Sequence, residues 1–135
     1  MTVELIPVAR VESELRDLDE APRQGDEGAP DAWVVVDPAY AVAAADIAVG
    51  ARLVLLTWLD RARRDVLAVH PRGDRSRPET GVFSTRSPHR PNPVGLHDVT
   101  VKAVDGTRLL VGPLEAVDGT PVLDIKSVLE PAQQR

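Results

Sequence analysis

Between Ser84 and Leu96 the chain reads STRSPHRPNPVGL, thirteen residues that combine ligand-binding groups with unusual stiffness. Arg86 and Arg90 offer planar, multi-donor guanidinium groups suited to a carboxylate or phosphate. Asn92 adds a donor and an acceptor. Pro88, Pro91 and Pro93 fix φ, donate no backbone hydrogen bond and push the preceding residues out of the α region. The segment therefore reads as a stiff, extended loop, not as a helix interior or a central strand. A stiff loop lowers the entropy cost of holding polar groups in a fixed array, which is what ligand recognition requires. The competing reading is a crossover loop whose prolines only shape the chain.

Other combinations are weaker. His70, His89 and His97 show no helical zinc spacing, and the absence of cysteine removes thiolate metal sites, disulfides and cysteine nucleophiles. No metal is expected. Ser84, Ser87 and Asp98 could be drawn with a histidine as a hydrolase triad, but STRSP lacks the glycine-flanked nucleophile turn. In PVLDIKS, Asp124 and Lys126 stand two apart on one face of a strand. Their apolar neighbours Val122, Leu123 and Ile125 suggest a largely buried strand, so the pair is either a structural ion pair or a site pair.

These groups need a scaffold. VELIPVARVES (3–13) reads as a first strand and AWVVVD (32–37) as a second. PAYAVAAADIAVG (38–50) opens on proline and closes on Gly50, which fits one short helix. ARLVLLTWL (51–59), DVLAVH (65–70), GVFSTR (81–86), GLHDVTVKAV (95–104), RLLVGPLEAV (108–117) and PVLDIKSVL (121–129) supply further strands. AVDGT occurs twice, ending at Thr107 and Thr120, and Asp-Gly between apolar runs is a strong hairpin signal. Many short strands with one helix indicate a mainly β fold, a single antiparallel β-barrel-like domain over residues 1–135. No glycine-rich strand-to-helix turn of the dinucleotide-binding kind occurs.

Charge is unevenly spread. The net charge of −5 argues against non-specific coating of nucleic acid. Residues 11–31 are acidic apart from Arg16 and Arg23, whereas 61–90 carry Arg61, Arg63, Arg64, Arg72, Arg75, Arg77, Arg86 and Arg90. A local basic face on an acidic molecule is one reading; arginine standing in for lysine on solvated surface is the other. Aromatic residues make up 3%, so the core must be built from Val, Leu, Ile and Ala. With no signal-like or membrane-length apolar run, a cytoplasmic protein without membrane contact is expected.

GVFSTRSPHRPNPVGL followed by LEAVDGTPVLDIKSVL resembles the TsaA-like, TrmO-type β-barrel methyltransferase family. APRQG (21–25) resembles its Pro-Arg-Gln element, and the likeness spans 5–9, 21–25, 51–60 and 80–129. The resemblance implies S-adenosylmethionine as cofactor and methylation at N6 of a threonylcarbamoyl-modified adenosine beside the tRNA anticodon. It also implies a homodimer with the cofactor near the interface. It places Pro22, Arg23, Gln24, Leu59, Asp60, Arg86, Leu96, Asp118, Gly119 and Thr120 at the cofactor, and Asp60 and Asp124 as candidate catalytic groups. Arg90, Asn92 and Lys126 would meet the substrate. At 59–60 many relatives have an aromatic–histidine pair where this chain has Leu59 and Asp60. Longer bacterial relatives carry a C-terminal domain, so the chain is expected to be a short form. Two alternatives stand beside this reading: a small-molecule methyltransferase of the same fold, and a non-catalytic module binding S-adenosylmethionine or RNA.

Overall fold

The structure, a computed structural model, describes residues 1–17 and 28–129. Six strands close into an antiparallel barrel: β1 (Ala9–Glu12), β2 (Ala32–Val36), β3 (Arg52–Trp58), β6 (Val94–Asp105), β7 (Arg108–Gly112) and β8 (Pro121–Ser127). The order around the barrel is β1-β2-β7-β6-β3-β8. Two short strands, β4 (Ala68–Val69) and β5 (Thr80–Gly81), form a separate ribbon. Every strand pairing is antiparallel, so no doubly wound nucleotide-binding sheet exists among the described residues. Among the same residues, no helix is long and apolar enough to cross a membrane.

Period-two alternation sets the core. Ala9, Val11, Val34, Val36, Leu53, Leu55, Val99, Val101, Leu109 and Val111 point inward and are buried. Small and branched side chains suit so narrow an interior, which accounts for the shortage of aromatics. A register shift between Leu56 and Thr57 leaves Leu123 as the extra residue on β8. Such bulges bend a strand and re-aim its side chains.

Several expected elements differ in extent. The helix expected over 38–50 forms as a 3₁₀ helix at Pro38–Ala44, capped by Asp37, whose Oδ1 accepts from the Ala39 amide at 2.9 Å. None of its residues is fully buried; Tyr40 and Ala44 cover the core only in part, so packing does not impose a longer α-helix. The first strand is confined to Ala9–Glu12, and Val3, Leu5 and Ile6 are exposed. Of GVFSTR only Gly81 is in a strand, as the last residue of β5; Val82–Ser84 is a 3₁₀ turn that follows it. The strand PVLDIKS is not largely buried. Only Val122 is fully enclosed, because β8 is barrel wall whose outward residues face solvent.

The chain path gives the barrel two unlike ends. Three connections, 13–31, 59–93 and 113–120, rise from one end. The other end holds the 37–51 connection and the tight Gly106–Thr107 turn. Leu55, at the barrel centre, is completely buried. We expect Leu55→Ala to cost about 2–5 kcal/mol in urea unfolding, the usual loss for emptying a packed leucine site.

Candidate functional site

The three long connections hold most of the residues singled out in the sequence. Leu59, Asp60, Arg86, Arg90 and Asn92 lie in 59–93, and Asp118, Gly119 and Thr120 in 113–120. Pro22, Arg23 and Gln24 belong to 13–31 but lie outside the described residues.

The proline loop is held by arginines as well as by its prolines. Arg64 stacks on Trp58 with its guanidinium carbon 5.1 Å from the ring centre. Its Nε donates to the Pro91 carbonyl at 2.7 Å and its second terminal nitrogen to Asn92 Oδ1 at 2.9 Å. From inside the loop, Arg90 donates to the carbonyls of Thr85 and Ser87, each at 3.3 Å, and to that of Val82. The Arg63 amide donates to His89 Nδ1 at 2.9 Å, and the Leu59 amide to the Pro93 carbonyl at 2.8 Å. Arg63 forms a two-pronged pair with Asp65 at 2.9 and 3.0 Å. That hydrogen bonding holds the Asp65 carboxyl below its ordinary range and raises Arg63. Arg86, by contrast, is exposed and has no side-chain partner among the described residues.

A second cluster is centred on Asp118. Its Oδ1 accepts from the Ser13 amide at 3.0 Å, its amide donates to the Leu15 carbonyl at 2.6 Å, and Arg16 lies 3.5 Å from Oδ2. Gly119, at φ 84°, donates to the Val11 carbonyl at 2.7 Å, and buried Thr120 returns its hydroxyl to Val117 at 2.7 Å. Arg61 donates to the Arg16 and Asp118 carbonyls at 2.5 and 3.5 Å. The turn is thereby tied both to the 13–16 segment and to the chain just past Asp60. A cleft of about 560 Å³ opens beside it, lined in part by Glu12, Ser13, Arg16, Asp31, Trp33 and Asp118.

Leu96 and Asp124 both pair with Leu56 of β3, from opposite sides, so the three form one row on the outer wall. Leu96 is 45% exposed. Asp124 is open to solvent; its Oδ1 accepts from the Ile125 amide at 2.9 Å and its Oδ2 lies 3.7 Å from Lys126 Nζ. Lys126 pairs with Val54, further from the loops.

The sequence assigned no role to a buried polar chain inside the barrel. His97 is only 4% exposed; its Nε2 lies 2.7 Å from Thr57 Oγ1 and its Nδ1 2.5 Å from Glu115 Oε1. An ionised carboxylate only accepts, so Nδ1 carries a proton toward Glu115, and the Thr57 hydroxyl can serve Nε2 as donor or acceptor. A signal was present: in GLHDVTV, His97 shares its phase with the inward Val99 and Val101. Gly95 makes room for this contact. A Cβ there would stand 2.3 Å from Thr57 Oγ1 and 2.6 Å from His97 Nε2.

The profile of the tRNA-methyltransferase O N-terminal domain matches residues 10–133. The chain belongs to that family. Among relatives of this tRNA-methyltransferase O domain, a probable S-adenosyl-L-methionine-binding protein of Archaeoglobus fulgidus is 44% identical over 126 residues. That alignment covers 93% of this chain and 34% of the relative. An S-adenosyl-L-methionine-binding protein of the same organism is 41% identical over 122 residues, 90% of this chain and 86% of its own. A mouse tRNA (adenine(37)-N6)-methyltransferase shares 54% over 48 residues, covering 36% of this chain and 11% of its own. A crystal structure of TrmO from P. aeruginosa superposes with a TM-score of 0.75 at 27% identity, covering all of this chain and 60% of that one.

Gly95→Ala should push the Thr57–His97 contact apart from within two paired strands. A loss of about 1–3 kcal/mol in urea unfolding is expected, as for overpacking elsewhere. An unchanged unfolding midpoint would show that the strands yield freely there.

Proposed function

We propose that the protein is an S-adenosylmethionine-dependent methyltransferase acting at N6 of a threonylcarbamoyl-modified adenosine beside the tRNA anticodon. The observation that carries this reading is the treatment of the proline loop. Arg64 and Arg90 are spent on holding its backbone, while Arg86 is left with no partner among the described residues. A guanidinium kept unpaired on a braced loop is suited to an anionic ligand. Family membership and the names of the relatives support the choice of ligand.

The donor set fits that cofactor. Arg86 suits its carboxylate, the half-open row of Leu96 and Leu56 offers apolar surface for a purine, and Asp60 is an acceptor suited to ribose hydroxyls. When bound, the cofactor supplies an electrophilic methyl group on a sulfonium centre. The chain itself must orient donor and acceptor and keep water away, tasks that need no covalent nucleophile. The accepting nitrogen must shed a proton. Asp60 is exposed and has no side-chain hydrogen bond among the described residues, so it is the first candidate to receive it. Asp124, engaged by the Ile125 amide and Lys126, is the second. Lys126 and Asn92 would contact the nucleic acid. Arg90 has little donor capacity left once its backbone carbonyls are served. In this reading the protein acts in the cytoplasm as a homodimer, with the Pro22–Gln24 element of one subunit completing the cofactor site of the other.

A non-catalytic cofactor-binding role has one observation in its favour: relatives at 41–44% identity are named for binding alone. Incubating the protein with S-adenosylmethionine and tRNA, followed by mass spectrometry of the nucleosides, separates the readings. Transfer to the modified adenosine is expected; binding without transfer to any tRNA would leave the small-molecule or non-catalytic role. By calorimetry, Arg86→Ala should weaken cofactor binding by roughly 1.5–3 kcal/mol, as for a charge-assisted hydrogen bond. Unchanged affinity in the folded variant would remove Arg86 from the site.

The shared site has its own test. Arg23→Ala and Arg86→Ala chains should each be inactive alone, and mixed dimers should recover activity because each contains one intact composite site. No recovery despite subunit exchange would exclude sharing.

A further inference from the structure

We propose that Thr57, His97 and Glu115 form a buried positioning chain that sets the Asp118–Thr120 turn against the end of β3. Its functional meaning rests on the methyltransferase reading above.

The three residues come from separate parts of the chain: Thr57 from β3, His97 from β6 and Glu115 from the 113–120 connection. Each stands next to residues assigned to the site. Thr57 precedes Leu59 and Asp60 by two and three positions, His97 follows Leu96, and Glu115 precedes Asp118 by three. Because strand residues alternate, Thr57 and His97 face the interior while Leu56 and Leu96 face outward on the same two strands. The position of the inner pair therefore sets that of the outer pair.

The chain is well enclosed. Thr57 is fully buried, His97 nearly so, and the Glu115 side chain is 15% exposed. No buried side-chain nitrogen or oxygen among the described residues lacks a partner. Breaking one link therefore orphans a polar atom in the barrel, a far larger penalty than the same loss at the surface. An apolar core would have filled this space without such exposure to mispairing. What the polar chain adds is direction: a histidine with two different nitrogens accepts one carboxylate and one hydroxyl in one arrangement.

Glu115 also has a local consequence. On either side of it, Leu114 donates to the Pro30 carbonyl, and Asp118 and Gly119 donate to Leu15 and Val11. Fixing Glu115 on His97 thus fixes the connection to which the 13–16 segment is tied. Loop, strand end and N-terminal segment share one internal reference.

The test uses the full chain and Thr57→Val, which keeps the volume and removes the hydroxyl. Hydrogen exchange should accelerate about tenfold at the amides of Leu114, Asp118, Gly119 and Thr120, with no matching change at Val34 and Val36 on the far wall. Nitrogen NMR should report an Nδ1-protonated His97 in the parent and a shifted Nε2 in the variant. Cofactor affinity should fall about tenfold in parallel, and Thr57→Ser should restore all three readouts. Should Thr57→Val not fold, Glu115→Ala, which removes the acceptor and leaves His97 Nδ1 without its partner, should show the same local exchange pattern. Exchange that rises uniformly, or not at all, in the variant that folds would overturn the proposal, as would failure of Thr57→Ser to restore it. If the parent binds no S-adenosylmethionine yet the exchange pattern responds as described, the methyltransferase reading falls and the positioning chain stands.

Discussion

Six strands closed into a barrel leave an interior so narrow that side chains fill it completely, and the rest of the molecule follows from that constraint. Val, Ala and Leu occupy most inward positions of the six strands, and the buried polar groups, Thr57 and His97 in the strands and Thr120 just before β8, are each partnered. No ligand can enter such a core. Binding chemistry is confined to the outer wall and to the loops at the barrel ends. Of the two ends, the one that carries the 13–31, 59–93 and 113–120 connections gathers most of the residues that resemble a family motif.

The loops at that end are organised by arginine more than by packing. Arg61, Arg64 and Arg90 each spend their donors on main-chain carbonyls, a job that a planar group with five donors does well and lysine does poorly. This explains much of the arginine-rich stretch from 61 to 90 without any external anion. It also makes Arg86 informative. Within the proline loop, where Arg90 and the bracing Arg64 are engaged in structural bonds, Arg86 alone has no side-chain partner among the described residues, a lack that outside the loop it shares with Arg75.

Strand alternation and Asp-Gly turns made the barrel legible, because both signals are local. Strand ends were less so. GVFSTR has the composition of a strand but finds a strand partner only at Gly81, and the Arg90 bond to Val82 favours a turn beyond it. Asp124 looked partly buried because its neighbours are apolar, yet the bulge at Leu123 and the outward phase at Leu56 put it in solvent. The proline loop announced its stiffness, but Arg64, 27 residues from Pro91, gave no sign that it would brace it. His97 could have been placed in the interior by phase alone. Its bond to Glu115 depends on where the 113–120 connection closes, which is a property of the tertiary fold.

The direction of the last strand carries a consequence of a different sort. β8 starts at Pro121 beside the long loops and runs away from them to Ser127, where it pairs with Leu53 at the opposite rim. Polypeptide following that strand sets out from the wrong side of the barrel. To reach the loop end it would have to travel back along the outer wall, roughly 20 Å for a seven-residue strand at ordinary extended rise. A domain appended there could meet the site only by lying alongside the barrel, flank to flank, or by reaching across to a neighbouring subunit.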